Sequence, residues 1–173
     1  MEELNLQVLI PAEKIAERVK ELAEEISKFY EGRIPLIVSI LKGSFIFAAD
    51  LIRHLTIRYK MDFLAISSYG VDRQSSGIVK LLKDLDTSIE GADVLIVEDV
   101  VDTGLTLKYI CDMLELRHPA SLNIAVLLEK EIPRDFDFPI RFVGFKIPNR
   151  FLVGYGLDWK GMYRGIPYVG YVK

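Results

Sequence analysis

Residues 94–107 read VLIVEDVVDTGLTL: four apolar residues run straight into two adjacent acids, a third acid follows at Asp102, and Thr103-Gly104 leads into a helical pattern. Glu98, Asp99 and Asp102 repel one another, and an apolar core has no use for three carboxylates. DVLIV (93–97) has the unbroken apolar character of a strand covered on both faces. Leu105 to Arg117 carries Leu107, Ile110, Cys111 and Leu114 on one helical face. The stretch therefore reads as strand, acidic loop and helix. Ligands of an open parallel sheet bind at that place, beyond the carboxyl ends of the strands. The backbone amides of Thr103, Gly104, Leu105 and Thr106 open the helix, and unpaired amides at the positive end of a helix dipole attract phosphate. Gly104 lets backbone approach the anion, and the two threonine hydroxyls add donors. Ribose hydroxyls or a hydrated Mg²⁺ between the acids would offset their repulsion. The ligand implied is a sugar phosphate, with further phosphates carried on a metal. A solvated acidic turn is the plain alternative; three acids followed by Thr-Gly-x-Thr outweigh it.

Working outward, apolar residues at Ile15, Val19, Leu22, Ile26 and Phe29 predict an amphipathic helix from Pro11 to Tyr30, ended by Gly32. PLIVSIL (35–41) predicts a buried strand, and 44–55 a helix with Ser44 as N-cap. Strands follow at 61–70, 79–85, 121–130 and 141–147, with a polar, aperiodic stretch VDRQSSG (71–77) between the first two. The Gly- and Tyr-rich tail from Phe151 fits short strands and turns. Strands alternating with helices mean α/β architecture with a mostly parallel central sheet flanked by helices. The two chain ends predict a small strand-rich hood on a single domain spanning 1–173.

The bulk properties agree. The chain has 173 residues, enough for one well-buried domain, and is half hydrophobic. A net charge of −3 argues against a broad nucleic-acid or anionic-membrane surface. No apolar run approaches a membrane span and the acidic N-terminus is unlike a secretory leader, so the expected location is the cytoplasm. Cys111 is the sole cysteine, which excludes an intramolecular disulfide and points to a buried structural thiol. His54 and His118 stand alone and are assigned no chemistry.

Two other phosphate loops fail on inspection. Gly156 and Gly161 have P-loop spacing, but Met162 stands where lysine is needed; Gly154-x-Gly156 begins a dinucleotide fingerprint, but Trp159 replaces its third glycine. VLIVEDVVDTGLTL instead resembles the phosphoribosyl-pyrophosphate signature of type I phosphoribosyltransferases. LKGS (41–44), SSYG (67–70), Glu129-Lys130 and FLVGYGLDW (151–159) follow the order and spacing of the hypoxanthine-guanine phosphoribosyltransferases, in their compact bacterial form. The likeness runs from about residue 8 to the C-terminus.

That resemblance implies the type I phosphoribosyltransferase fold, Mg²⁺ as cofactor, and transfer of a phosphoribosyl group to N9 of a 6-oxopurine with release of pyrophosphate. It implies Glu98 and Asp99 on the ribose hydroxyls and one Mg²⁺, Asp102 as general acid/base near purine N7, and residues 103–106 on the 5′-phosphate. Lys42 and Gly43 would contact pyrophosphate through backbone, beside a cis peptide between Leu41 and Lys42; Arg164 would join them. Lys130 would donate to purine O6, Phe151 stack on the base, and Leu152 read its edge through backbone. Asp158 would use its carbonyl on the base and its carboxylate on a second Mg²⁺. Ser68 and Tyr69 would belong to a loop that closes over the reacting centre. Val71-Asp72-Arg73, Asn149-Arg150 and Trp159 depart from the family pattern without removing a residue assigned to chemistry. The resemblance also implies a homodimer or homotetramer. The other reading is a regulator that senses the sugar pyrophosphate and binds RNA; it calls for a basic surface, and no dense Lys/Arg cluster is present.

Overall fold

The computed structural model describes residues 5–68, 79–133 and 137–172. In chain order the elements are β1 (Leu6–Ile10), α1 (Ala12–Phe29), β2 (Leu36–Leu41), α2 (Phe45–His54), β3 (Lys60–Ser68), β4 (Val79–Lys83), β5 (Asp93–Val101), α3 (Leu105–Glu115), β6 (Ser121–Lys130), β7 (Phe142–Ile147), β8 (Leu152–Val153) and β9 (Val169–Val172). Six strands form one sheet in the order β4-β3-β2-β5-β6-β7, parallel except for β4. This is the expected α/β architecture, with helices on both faces of a mostly parallel sheet.

The central strands are apolar on both faces because both are covered. Ile15, Val19, Leu22 and Ile26 of α1 and Phe47 and Leu51 of α2 pack on one side, with Ile37, Leu95 and Val97 of the sheet. Leu107, Ile110, Cys111 and Leu114 of α3 pack on the other, against Val38, Val94 and Ile96. Each such side chain removed from water stabilises the fold by roughly 1.5–3 kcal/mol. Cys111 is fully buried, and burial, with Glu115 and Asp112 adding to it, pushes its thiol up to about 12, so it is inert as expected. His54 and His118 lie exposed at the surface.

The chain ends meet in a second sheet. β1 pairs antiparallel with β9, and β9 with β8, so residues 6–10 and 152–172 close on each other above one end of the main sheet.

Two expectations change. β5 does not end at Val97 but runs to Val101, because β6 beside it continues to Lys130 and the ladder carries on through Glu98↔Val126 to Val101↔Glu129. Ser44 stands at the N-terminus of α2 without capping it: its hydroxyl donates to the Ile40 carbonyl and meets Ser39 Oγ at 2.7 Å, both serines fully buried. The hydroxyl braces the turn behind it instead of the helix ahead.

Away from the sheet's carboxyl end, Asp62 of β3 is a buried carboxylate that no sequence pattern flags. It accepts hydrogen bonds from the Asp86 and Thr87 amides and the Thr87 hydroxyl, and lies 3.5 Å from Lys83. Burial pushes its pKa up, yet the amides of Phe63 and Asp86 and the groups of Thr87 hold it below the ordinary value. The group therefore stabilises the fold above the pH at which an unfolded aspartate ionises, and that contribution fades as acid protonates it. Asp62→Ala should cost about 3 kcal/mol at pH 7 in urea unfolding, since it strands the 86–87 amides. The gap between variant and wild type should narrow below about pH 4.

Candidate active site

β2 and β5 are neighbours at the centre of the sheet, and the chain leaves β2 toward β3 on one side and β5 toward β6 on the other. Their carboxyl ends therefore bound a crevice at a switch point. From β2 comes the Leu41-Lys42-Gly43 turn, with the expected cis peptide between Leu41 and Lys42. From β5 come the acids and the start of α3. A cleft of about 340 Å³ opens between them, lined by Gly43, Asp99, Asp102 and Lys130, and from the hood side by Phe151 and Asp158. Leu152, Arg164, Val100 and Leu157 complete it; the last two were not anticipated, having no signal beyond apolar character. Lys42 itself is exposed and does not line the cleft, while its neighbour Gly43 does.

Strand geometry separates the acids that the sequence sets side by side. Successive side chains of β5 point to opposite faces. Asp99 enters the main cleft against Gly43, while Glu98 lines an adjoining hollow of about 140 Å³ with Thr103, Gly104, Leu105 and Thr106. Asp102 lines both. Gly104 takes φ +82° directly before α3, a conformation that side chains with a Cβ resist, and the residues on either side of it line the hollow.

The two β5 acids are held in an unusual state. Glu98 Oε2 is enclosed with no hydrogen-bond partner among the described residues. Burial, then the neighbouring Asp99, raises its pKa well above the ordinary glutamate value. Asp99 is 6% exposed. Burial pushes it up to about 6, against the opposing effect of the Val100 amide and Arg164. The contact with Gly43 is close: a Cβ on residue 43 would lie 1.8 Å from Asp99 Oδ2, so only glycine leaves the carboxylate its place.

The remaining charges pair within the cleft. Lys130 Nζ donates to Asp102 Oδ2 at 2.7 Å. Arg164 holds Asp158 Oδ1 at 2.6 Å and donates to the Gly156 carbonyl, and Asp158 Oδ2 accepts from the Gly161 amide. Phe151 is 57% exposed, an aromatic ring on the cleft wall with no core to fill, whereas Leu152 is buried. Tyr69, the side chain of Ser68 and residues 71–77 lie outside the described residues. Among the described residues no three His, Cys, Asp or Glu side chains form a ready metal cage.

The phosphoribosyl transferase domain family matches residues 9–160 of the chain. The hypoxanthine-guanine phosphoribosyltransferase of Bacillus subtilis (strain 168) is 47% identical over 167 residues, 96% of this chain and 93% of that one. A segment of the bifunctional protein TilS/HprT of Listeria monocytogenes is 44% identical, and there the chain spans 26% of the relative's length. The crystal structure of a hypoxanthine-guanine phosphoribosyltransferase from Bacillus anthracis superposes with a TM-score of 0.92 at 43% identity, covering 99% of this chain and all of that one.

The raised Asp99 sets a pH dependence. Between about pH 4, where an unfolded aspartate ionises, and about pH 6, the folded chain keeps a proton that the unfolded chain has released. Stability of the ligand-free protein therefore falls as pH rises through that window. Asp99→Asn removes this share. Urea unfolding should show the variant gaining on wild type by up to roughly 3 kcal/mol between pH 4 and pH 6.5. A difference that stays constant with pH would contradict the assignment.

Proposed function

This chain belongs to the hypoxanthine-guanine phosphoribosyltransferases, within the phosphoribosyl transferase domain family, and from that premise we propose how its own residues divide the reaction. The activity is purine salvage: the phosphoribosyl group of 5-phosphoribosyl 1-pyrophosphate passes to N9 of hypoxanthine or guanine, giving IMP or GMP and pyrophosphate. As the N9–C1 bond forms, the C1–oxygen bond to pyrophosphate breaks, with positive charge on the ribose in between. Placing charge and keeping water away are then the protein's main tasks.

One observation carries the assignment of the base site: the Lys130–Asp102 pair at 2.7 Å, in a cleft walled by an exposed Phe151. O6 and N7 share one edge of a 6-oxopurine, an acceptor beside a second ring position. Lys130 supplies the donor for O6 and Asp102 the group that takes or returns a proton at N7, a role worth about 10²–10⁴-fold in rate. Adenine presents an amino donor where Lys130 also donates, and a buried mismatch of that kind discriminates strongly. Phe151 stacks on the base, and the Leu152 backbone and the Asp158 carbonyl read its far side. The amides of residues 103–106 and the hydroxyls of Thr103 and Thr106 take the 5′-phosphate. Gly43, the Lys42 backbone and Arg164 receive the pyrophosphate, and Ser68 and Tyr69 contribute from the closing loop.

The acids fit Mg²⁺. This cation takes oxygen ligands, commonly one or two carboxylates with the substrate's phosphates completing the set, so no full protein cage is needed. The enclosed, unpartnered Glu98 oxygen and the elevated Asp99 are groups whose ionised form awaits a hydroxyl donor or a cation. Glu98 and Asp99 would hold the ribose hydroxyls and one ion, and Asp158 a second. When bound, Mg²⁺ neutralises charge on the departing pyrophosphate.

The regulator reading finds no support among the relatives, and it gives Lys130 beside Asp102 no purpose. Self-association as a homodimer or homotetramer and a cytoplasmic location stay part of the proposal. No helix among the described residues is long and apolar enough to cross a membrane.

A spectrophotometric assay with phosphoribosyl pyrophosphate and five bases in parallel tests the reading. Hypoxanthine and guanine should turn over, adenine and uracil should not, xanthine ranks the pocket at C2, and EDTA should stop the reaction. Asp102→Asn should lower kcat by at least about 100-fold. Lys130→Gln should mainly raise KM for the 6-oxopurine. Full activity in Asp102→Asn would remove Asp102 from its role.

A further inference from the structure

Beyond β8 the chain turns through Gly154-Tyr155-Gly156, three successive residues at positive φ (+98°, +48° and +100°). A tyrosine adopts that conformation only where its surroundings hold it. The Tyr155 amide donates to the Ile166 carbonyl at 2.7 Å, and the side chain leaves the cleft altogether, lining a separate groove with Ile46 and Asp50 of α2. There the phenol, 7% exposed, donates to Asp50 Oδ2 at 2.8 Å, across 105 residues of sequence. Burial first, and then Asp50, raise the phenol's pKa, so it stays a donor at every physiological pH.

Both ends of this bond are tied to the cleft. Asp50 lies on α2, which starts at Phe45 with only Ser44 between it and Gly43. Tyr155 lies between Leu152 and Asp158. Next to it, a Cβ on Gly156 would lie 2.0 Å from the Gly43 carbonyl oxygen, so the two loops touch backbone to backbone. The Gly156 carbonyl in turn accepts from Arg164 at 2.6 Å. The exposed Asp50–Arg53 pair at 3.4 Å offers Asp50 little by comparison.

We propose that Asp50 is a positioning residue for phosphoribosyl transfer: by accepting the Tyr155 hydroxyl it sets the 154–158 loop against Gly43, and so fixes the spacing between the purine half and the pyrophosphate half of the cleft. The proposal rests on the roles given above to Leu152, Asp158 and Gly43. Asp50 lines the separate groove and not the cleft. It acts through α2 on one side and through Tyr155 on the other, and slack of about 1 Å between the halves is enough to weaken capture of both ligands.

Three variants test it: Tyr155→Phe, which removes one oxygen, Asp50→Ala, and Asp50→Asn, whose amide oxygen can still accept from the phenol. Each is assayed forward with hypoxanthine and in reverse with IMP and pyrophosphate. Tyr155→Phe and Asp50→Ala should raise KM for hypoxanthine and for pyrophosphate about 10-fold while kcat stays within about threefold, and Asp50→Asn should lie within about twofold of wild type. The protein's one tryptophan, Trp159, follows directly on that loop. Its acrylamide quenching should rise in the first two variants and not in the third. Unchanged KM values in folded Tyr155→Phe, or Asp50→Asn as impaired as Asp50→Ala, would overturn the proposal. Wild-type protein that turns over no 6-oxopurine would instead overturn the functional reading, and Trp159 quenching would still report whether the Asp50–Tyr155 bond orders the loop.

Discussion

Everything in the cleft depends on two close approaches, of the Gly43 backbone to one carboxylate and of the Gly156 backbone to Gly43. Where β2 and β5 end side by side, the Asp99 carboxylate occupies the space that any side chain on residue 43 would fill, and the Gly43 carbonyl occupies the space that one on residue 156 would fill. Strand β5, the turn after β2 and the hood loop are thereby stacked at van der Waals contact. The sheet supplies the first two through its central pairing, the hood supplies the third, and close packing of this kind transmits small shifts without absorbing them.

Around that contact the charges arrange themselves in two different ways. Lys130 with Asp102 and Arg164 with Asp158 are direct ion pairs, each joining residues from different elements of the fold. Glu98 and Asp99 have no cation of their own at bonding distance among the described contacts, and burial favours their neutral forms. On the proposed reading, a sugar pyrophosphate carried by Mg²⁺ would have the paired residues exchange one polar partner for another, whereas Glu98 Oε2 would gain its first and Asp99 would add to the Val100 amide it already accepts from. Preorganised dipoles in a water-poor cleft are the economical way to stabilise a cationic ribose.

How much of this was legible depends on the residue. Helix α1 was readable almost to its ends, because its apolar spacing of three and four residues coincides with the face that packs on the sheet. Strand β6 was readable to the residue, because its apolar run from Ile124 to Leu128 coincides with its covered stretch, to which only Glu129 adds a buried charge. Strand β5 was read four residues short, because two acids interrupt its apolar run and only the neighbouring β6 keeps the ladder going. Ser44 has the chemistry of a cap, but the buried Ile40 carbonyl and Ser39 outcompete the helix amides for its hydroxyl. Asp62 and Asp50 carried no sequence signal at all, since a carboxylate in a strand or helix looks the same whether it meets solvent or a folded loop.

The sequence by itself determined the alternation of strands and helices, the Thr-Gly start of α3, and the residue types of the cleft, because those follow from local periodicity and from motifs contiguous in the chain. Tertiary structure alone decided which acids share a face, which cation answers which carboxylate, and that Tyr155 reaches Asp50. Those depend on side-chain direction along β5 and on contacts between residues up to 105 positions apart, for which the linear order of amino acids holds no distance.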